Sequence, residues 1–126
     1  MADSIPDLWP QDIGEASLQT PVTILRQEAA LLGEKTNQLV TAEVTTQSQG
    51  QTFLHSFVIV APALDNYKYE LFKVQHGISF YPMTVIVQGG GNNIGSQAQF
   101  IEILRMIFTS PNTKNIVQSL IAQIRR

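Results

Sequence analysis

His55 and His76 are the only histidines in a chain of 126 residues that has no cysteine, so metal or acid–base chemistry has to pass through them. No ligand spacing such as His-x-x-x-His joins them. Two histidines also fall short of the three protein ligands of a catalytic zinc site unless carboxylates join from elsewhere. Glu43, Asp65 and Glu70 are the nearest acidic residues along the chain. If a pocket does chemistry here, its acid–base set is His55, Tyr69, Glu70 and His76. The absence of cysteine removes disulfides, thiolate zinc sites, iron–sulfur clusters and cysteine nucleophiles together. No serine sits in a Gly-x-Ser-x-Gly elbow. No catalytic motif, metal site or cofactor is expected.

Gly89-Gly90-Gly91-Asn92-Asn93-Ile94-Gly95-Ser96 is the one glycine-rich stretch that could cradle a phosphate. It fails both tests. Counted from Gly89, the sixth position is Ile94 where the dinucleotide fingerprint needs glycine, and Gly95-Ser96 has no lysine to complete a P-loop. The stretch reads as a flexible connector between a strand and a helix, with Ser96 as the helix cap.

Aromatic residues offer a different chemistry, that of contact. Tyr67, Tyr69, Phe72, Phe80 and Tyr81 lie close together in sequence, and tyrosine brings contact area with a polar handle. Strict alternation puts Tyr67, Tyr69, Leu71 and Lys73 on one half-exposed strand face. Ordinary strand propensity explains the same residues without any partner. Trp9, the only tryptophan, sits in Ile5-Pro6-Asp7-Leu8-Trp9-Pro10. An anchor aromatic on an irregular segment has the form of a docking motif. It equally suits an arm folded back on its own core, or one exchanged within a homodimer.

The elements that position these residues follow from punctuation and periodicity. Residues 1–19 form an irregular arm, broken by Pro6, Pro10 and Gly14 and made acidic by Asp3, Asp7, Asp12 and Glu15. Residues 20–126 form a single domain. Thr20-Pro21 reads as a helix cap with proline at the first helical position, and Val22, Leu25, Ala29 and Leu32 follow as an apolar stripe. That helix ends at Gly33 or runs on to Asn37. Four strands come next: Val40–Thr45, Phe53–Ala61, Tyr67–Val74 and Met83–Val87. Phe53–Ala61 is apolar on both faces, as a central strand is, and its alternation puts His55 beside Phe53 and Phe57. Ser96 and Ser110-Pro111 open two more helices, lined by Phe100, Ile103, Leu104 and Ile107 and by Ile116, Leu120 and Ile124. Short connections favour an antiparallel meander over parallel crossovers. The expected architecture is α+β: an N-terminal helix, a four-stranded antiparallel meander, and two C-terminal helices packed on one sheet face.

Composition narrows the function. Eight basic and ten acidic residues leave a net charge of −2, and charged residues are 14% of the chain. Without a Lys/Arg excess, sequence-independent nucleic-acid binding is not expected. No apolar run approaches the ~20 residues of a membrane span. Met1-Ala2-Asp3-Ser4 has neither the positive start nor the apolar run of a secretory leader, so a soluble, cytoplasmic protein is expected. The 13 Gln and 10 Thr that replace charge point to no single activity.

The leading expectation is a non-enzymatic adaptor acting through protein–protein contacts at Trp9, Tyr67, Tyr69, Phe80 and Tyr81, with homodimerisation favoured by the low charge. Immunity proteins and secretion chaperones include small modules of this general shape, a likeness of architecture alone. The alternative is a small-molecule-binding protein or enzyme with a pocket between the sheet and the C-terminal helices, using His55, His76 and Glu70.

Overall fold

Thr20 and Pro21 start the first helix as their chemistry dictates. In the computed structural model, which describes residues 6–14 and 19–125, helix α1 spans Pro21–Lys35. Residues 1–5 and 15–18 of the arm, together with Arg126, lie outside the described residues. The Thr20 hydroxyl accepts the Thr23 N–H at 3.1 Å, and Pro21 has no N–H in need of a partner. The helix closes at Lys35, between the two expected ends. Asn37 and Gln38 take left-handed φ values of 52° and 66°, and the Gln38 N–H turns back to the Gly33 carbonyl at 2.8 Å. The Thr36 hydroxyl accepts the Val40 N–H at 3.2 Å, tying the helix end to the strand that follows.

Five strands form one antiparallel sheet in the order β1-β2-β3-β4-β5: β1 Thr41–Gln49, β2 Thr52–Ala61, β3 Tyr67–His76, β4 Met83–Val87 and β5 Gly90–Ile94. The meander is as expected; the fifth strand is not. Gly90–Ile94, expected as a connector, pairs along its whole length with β4, from Met83 opposite Ile94 to Val87 opposite Gly90. Gly89 makes this possible, because its φ of 101° lets Gln88-Gly89 reverse the chain in two residues. As an edge strand, β5 needs only one apolar side chain toward the core, and Ile94 supplies it. Helix α2, Gln97–Phe108, starts where the Ser96 hydroxyl accepts the Gln99 N–H at 3.2 Å while the Gln99 side chain takes the Gly95 N–H at 2.7 Å. Helix α3, Pro111–Arg125, is capped by Ser110 through the Thr113 N–H at 3.2 Å.

The helices cover one face of the sheet and divide the core between them. Under α1 and α2 lie Leu25, Phe57, Phe72, Val74, Val85 and Phe100. Beneath α3 a smaller cluster holds Val40, Ile59, Ala61 and Leu120. The opposite face carries Glu43 paired with Lys68 at 3.0 Å and Glu70 with Lys73 at 3.8 Å, beside half-buried Leu54 and Val58.

A β-bulge corrects the expected face of β3. Phe57 stands opposite Phe72 and Val58 opposite Glu70, which leaves Leu71 without an opposite residue. The extra residue shifts the alternation by one. Tyr67 and Tyr69 therefore share the helix-covered face with Phe72, Val74 and His76, whereas Lys73 lies on the other face with Lys68 and Glu70. Leu71 packs against both core clusters.

Candidate functional site: a histidine pair and an apolar cleft

His55 on β2 stands opposite Thr46 on β1 and Val74 on β3, two positions along from Phe53, which faces His76. On a pleated sheet such diagonal neighbours are within reach of ring side chains. Their Nε2 atoms meet at 2.8 Å. Both rings are buried, at 4% and 7% exposure. The other nitrogens are also engaged: His55 Nδ1 lies 2.9 Å from the Thr46 hydroxyl and His76 Nδ1 lies 2.7 Å from the Gly77 carbonyl. Phe53 and Phe80 pack on the His76 ring at centroid distances of 5.5 and 5.8 Å, Phe80 edge-on.

The partners assign the protons of the neutral pair. A carbonyl only accepts, so His76 Nδ1 donates to Gly77 and its Nε2 accepts. His55 must then donate from Nε2, leaving its Nδ1 to accept from the Thr46 hydroxyl. One tautomer of each ring satisfies every nitrogen, in a chain from exposed Thr46 to the Gly77 carbonyl. Burial, followed by the neighbouring His76 and the Arg26 guanidinium of α1, lowers the His55 pKa from 6.5 to about 4. His55 is neutral at physiological pH. This arrangement holds three strands in register, and neither ring lines the apolar cleft between α1 and α3.

Glu70 does not join the histidines. It lies on the opposite face of the sheet, where it is exposed and bridges to Lys73. Among the described residues no group of three or more His, Asp or Glu side chains gathers to hold a metal ion. The aromatic candidates are dispersed as well. Tyr67 is half exposed at the start of β3, and Tyr69 packs at the margin of the α3 cluster. Phe80 and Tyr81 follow the other end of that strand, ~30 Å away at ~3.3 Å per residue. Tyr81 packs against the larger core cluster with its hydroxyl buried and no partner among the described residues, and burial raises its pKa above the usual phenol value. Trp9 stands exposed on the arm.

A concave site lies away from the histidines, between the sheet and the C-terminal helices as the alternative expectation has it, with α1 as an unexpected wall. Between α1, α3 and the end of α2 lies a cleft of about 640 Å³. Its floor is Phe57, Ile59 and the bulge residue Leu71, where the two core clusters meet without closing. Leu31, Leu32 and Glu28 of α1 line one wall, and Val117, Ile121 and Phe108 the other. Lys35 and Lys114 stand at the rim and take no part in the ion pairs found among the described residues. The Thr113 hydroxyl also lines the cleft but is committed to the Ile107 carbonyl at 2.7 Å. One sequence signal did exist: Leu31 sits beside, and not within, the apolar stripe of α1, so that helix carries more apolar surface than one buried face requires.

No protein-family model, curated protein or solved structure matches this chain. Among the described residues no helix is long and apolar enough to cross a membrane.

Proposed function

We propose that the chain is a non-enzymatic binding module, an adaptor acting through protein–protein contacts, and that it docks its partner in the cleft between α1 and α3. The observation that carries this reading is the cleft itself, an apolar floor of Phe57, Ile59 and Leu71 under a rim with two lysines that make no ion pair among the described residues. Lys35 and Lys114 outnumber Glu28 there, so the matching partner is a segment with apolar side chains next to carboxylates. Laying such a segment between two helices is the helix-in-groove mode of recognition. The histidine pair supports the same reading, since all four ring nitrogens are engaged inside the protein and none faces the cleft.

A small amphiphile is the second reading, favoured by the volume, which lies within the ~300–1,000 Å³ of small-molecule sites. Anilinonaphthalene sulfonate, with apolar rings beside an anion, probes the cleft in both cases. It is expected to bind once per folded monomer, to be displaced by Val117→Trp, and to weaken severalfold in Lys35→Glu/Lys114→Glu. Binding that ignores both variants overturns the cleft as the site. A photo-cross-linker at Leu32 then separates the readings: a protein-sized adduct supports the adaptor, whereas an organic-extractable adduct of lipid size supports the amphiphile.

A further inference from the structure

The arm and the cleft have complementary chemistry. Leu8, Trp9 and Ile13 are 80%, 70% and 61% exposed, so a six-residue span carries three of the large apolar side chains left open to solvent. Asp7 and Asp12 accompany them. A second, smaller hollow of about 320 Å³ extends the cleft toward the root of the arm. It begins at Gln19, shares Glu28, Phe108 and Thr109 with the first, and adds Arg105, which is paired with Glu102 at 3.4 Å. The two hollows make one furrow that takes apolar side chains below and carboxylates at the edge.

We propose that this furrow receives the N-terminal arm of a second copy of the chain, with Trp9 as the anchor in the 640 Å³ cleft, and that two copies exchange arms as a two-fold dimer. The inference rests on the cleft being a docking surface and names one partner for it. Two observations favour a second copy over the chain's own arm. On its own chain the described residues 6–14 line neither hollow, leave Leu8, Trp9 and Ile13 uncovered, and close a local turn by the Ile13 N–H on the Pro10 carbonyl at 3.2 Å. A net charge of −2 sets little repulsion between copies, while Asp7 and Asp12 of one meet Lys35 and Lys114 of the other. Each copy then gives its anchor and fills its cleft, so the contact closes at two chains and does not propagate.

The test is sedimentation equilibrium of the full chain from low to high micromolar concentration, with tryptophan emission recorded on the same samples. Trp9 is the only tryptophan, so its emission reports the contact directly. A monomer–dimer equilibrium is expected, with emission shifting to the blue as dimer forms. Trp9→Ala is expected to weaken the dimer by roughly a hundredfold, since two anchors are lost at about tenfold or more each. Lys35→Glu/Lys114→Glu is expected to give monomer, and adding Asp7→Lys/Asp12→Lys to restore the dimer. A monomer at every concentration overturns the proposal, as does a dimer indifferent to Trp9→Ala. Blue-shifted emission in a monomer also overturns it, because the arm then docks on its own chain. The sulfonate probe keeps the two ideas apart. Its binding to monomeric protein with displacement by Val117→Trp leaves the cleft reading standing, and its failure on Trp9→Ala removes both.

Discussion

Acidification makes the buried histidine pair measurable. In the unfolded chain His55 takes up its proton near pH 6.5, whereas in the fold burial, His76 and Arg26 delay that uptake to about pH 4. Because the folded pKa is the lower one, the unfolded state binds the extra proton first. Stability is therefore complete above pH 6.5 and falls with pH until the folded ring is itself protonated near 4. At about 1.4 kcal/mol per pH unit, the loss accumulates to ~3 kcal/mol, a large share of the roughly 5–15 kcal/mol that holds a domain of this kind. The geometry supplies the reason. In the neutral pair the His55 Nδ1 accepts from the Thr46 hydroxyl; a proton taken there reverses that bond and places a charge on a ring desolvated by burial. Urea unfolding followed by circular dichroism is the appropriate assay, because Trp9 lies outside the core. At neutral pH, His76→Leu leaves the His55 Nε2–H buried without an acceptor and is expected to cost ~1–3 kcal/mol. His55→Leu/His76→Leu removes both partners and is expected to cost less than the single change. The double variant should also lose the pH dependence between 6.5 and 4. A wild-type stability that stays level down to pH 4, or a double variant that falls just as steeply, refutes the reasoning.

Two further outcomes test other parts of the structure. Tyr81→Phe removes a buried hydroxyl that has no partner among the described residues, so thermal unfolding should show a gain of up to ~1 kcal/mol, and a clear loss would mean the hydroxyl is bonded. Gly89→Ala meets no neighbouring atom within 4 Å, yet its φ of 101° disfavours any side chain, so a destabilisation of ~1 kcal/mol or more is expected from the hairpin, where a flexible connector would show none.

Much of the architecture was legible because it depends on short-range chemistry. Thr20-Pro21, Ser96 and Ser110-Pro111 start helices by satisfying backbone N–H groups a few residues away, information that is wholly local. Alternation along β2 placed His55 with Phe53 and Phe57 for the same reason, since successive side chains of a strand must point oppositely. The α+β order and the packing of the helices on one sheet face followed from those elements. The fifth strand was missed because Gly90-Gly91-Asn92-Asn93 has almost no apolar pattern; what makes it a strand is its hydrogen bonding to β4.

The rest depended on contacts between residues far apart in sequence. A period-two reading assigns Tyr67, Tyr69 and Lys73 to one face, and only pairing with β2 shows the bulge at Leu71 that separates them. The meeting of His55 with His76, 21 residues later, is a consequence of strand register, which no local spacing encodes. The cleft belongs to no element. It is the space left where α1 and α3 lie too far apart to close over Phe57, Ile59 and Leu71, and helix spacing is set by the packing of all three helices and the sheet together. Sequence alone thus determined which segments become helices and most strands, and which side chains must be buried, because hydrogen bonding and hydrophobic period act within a few residues. Only the tertiary structure decided which buried residues meet and where the surface stays open.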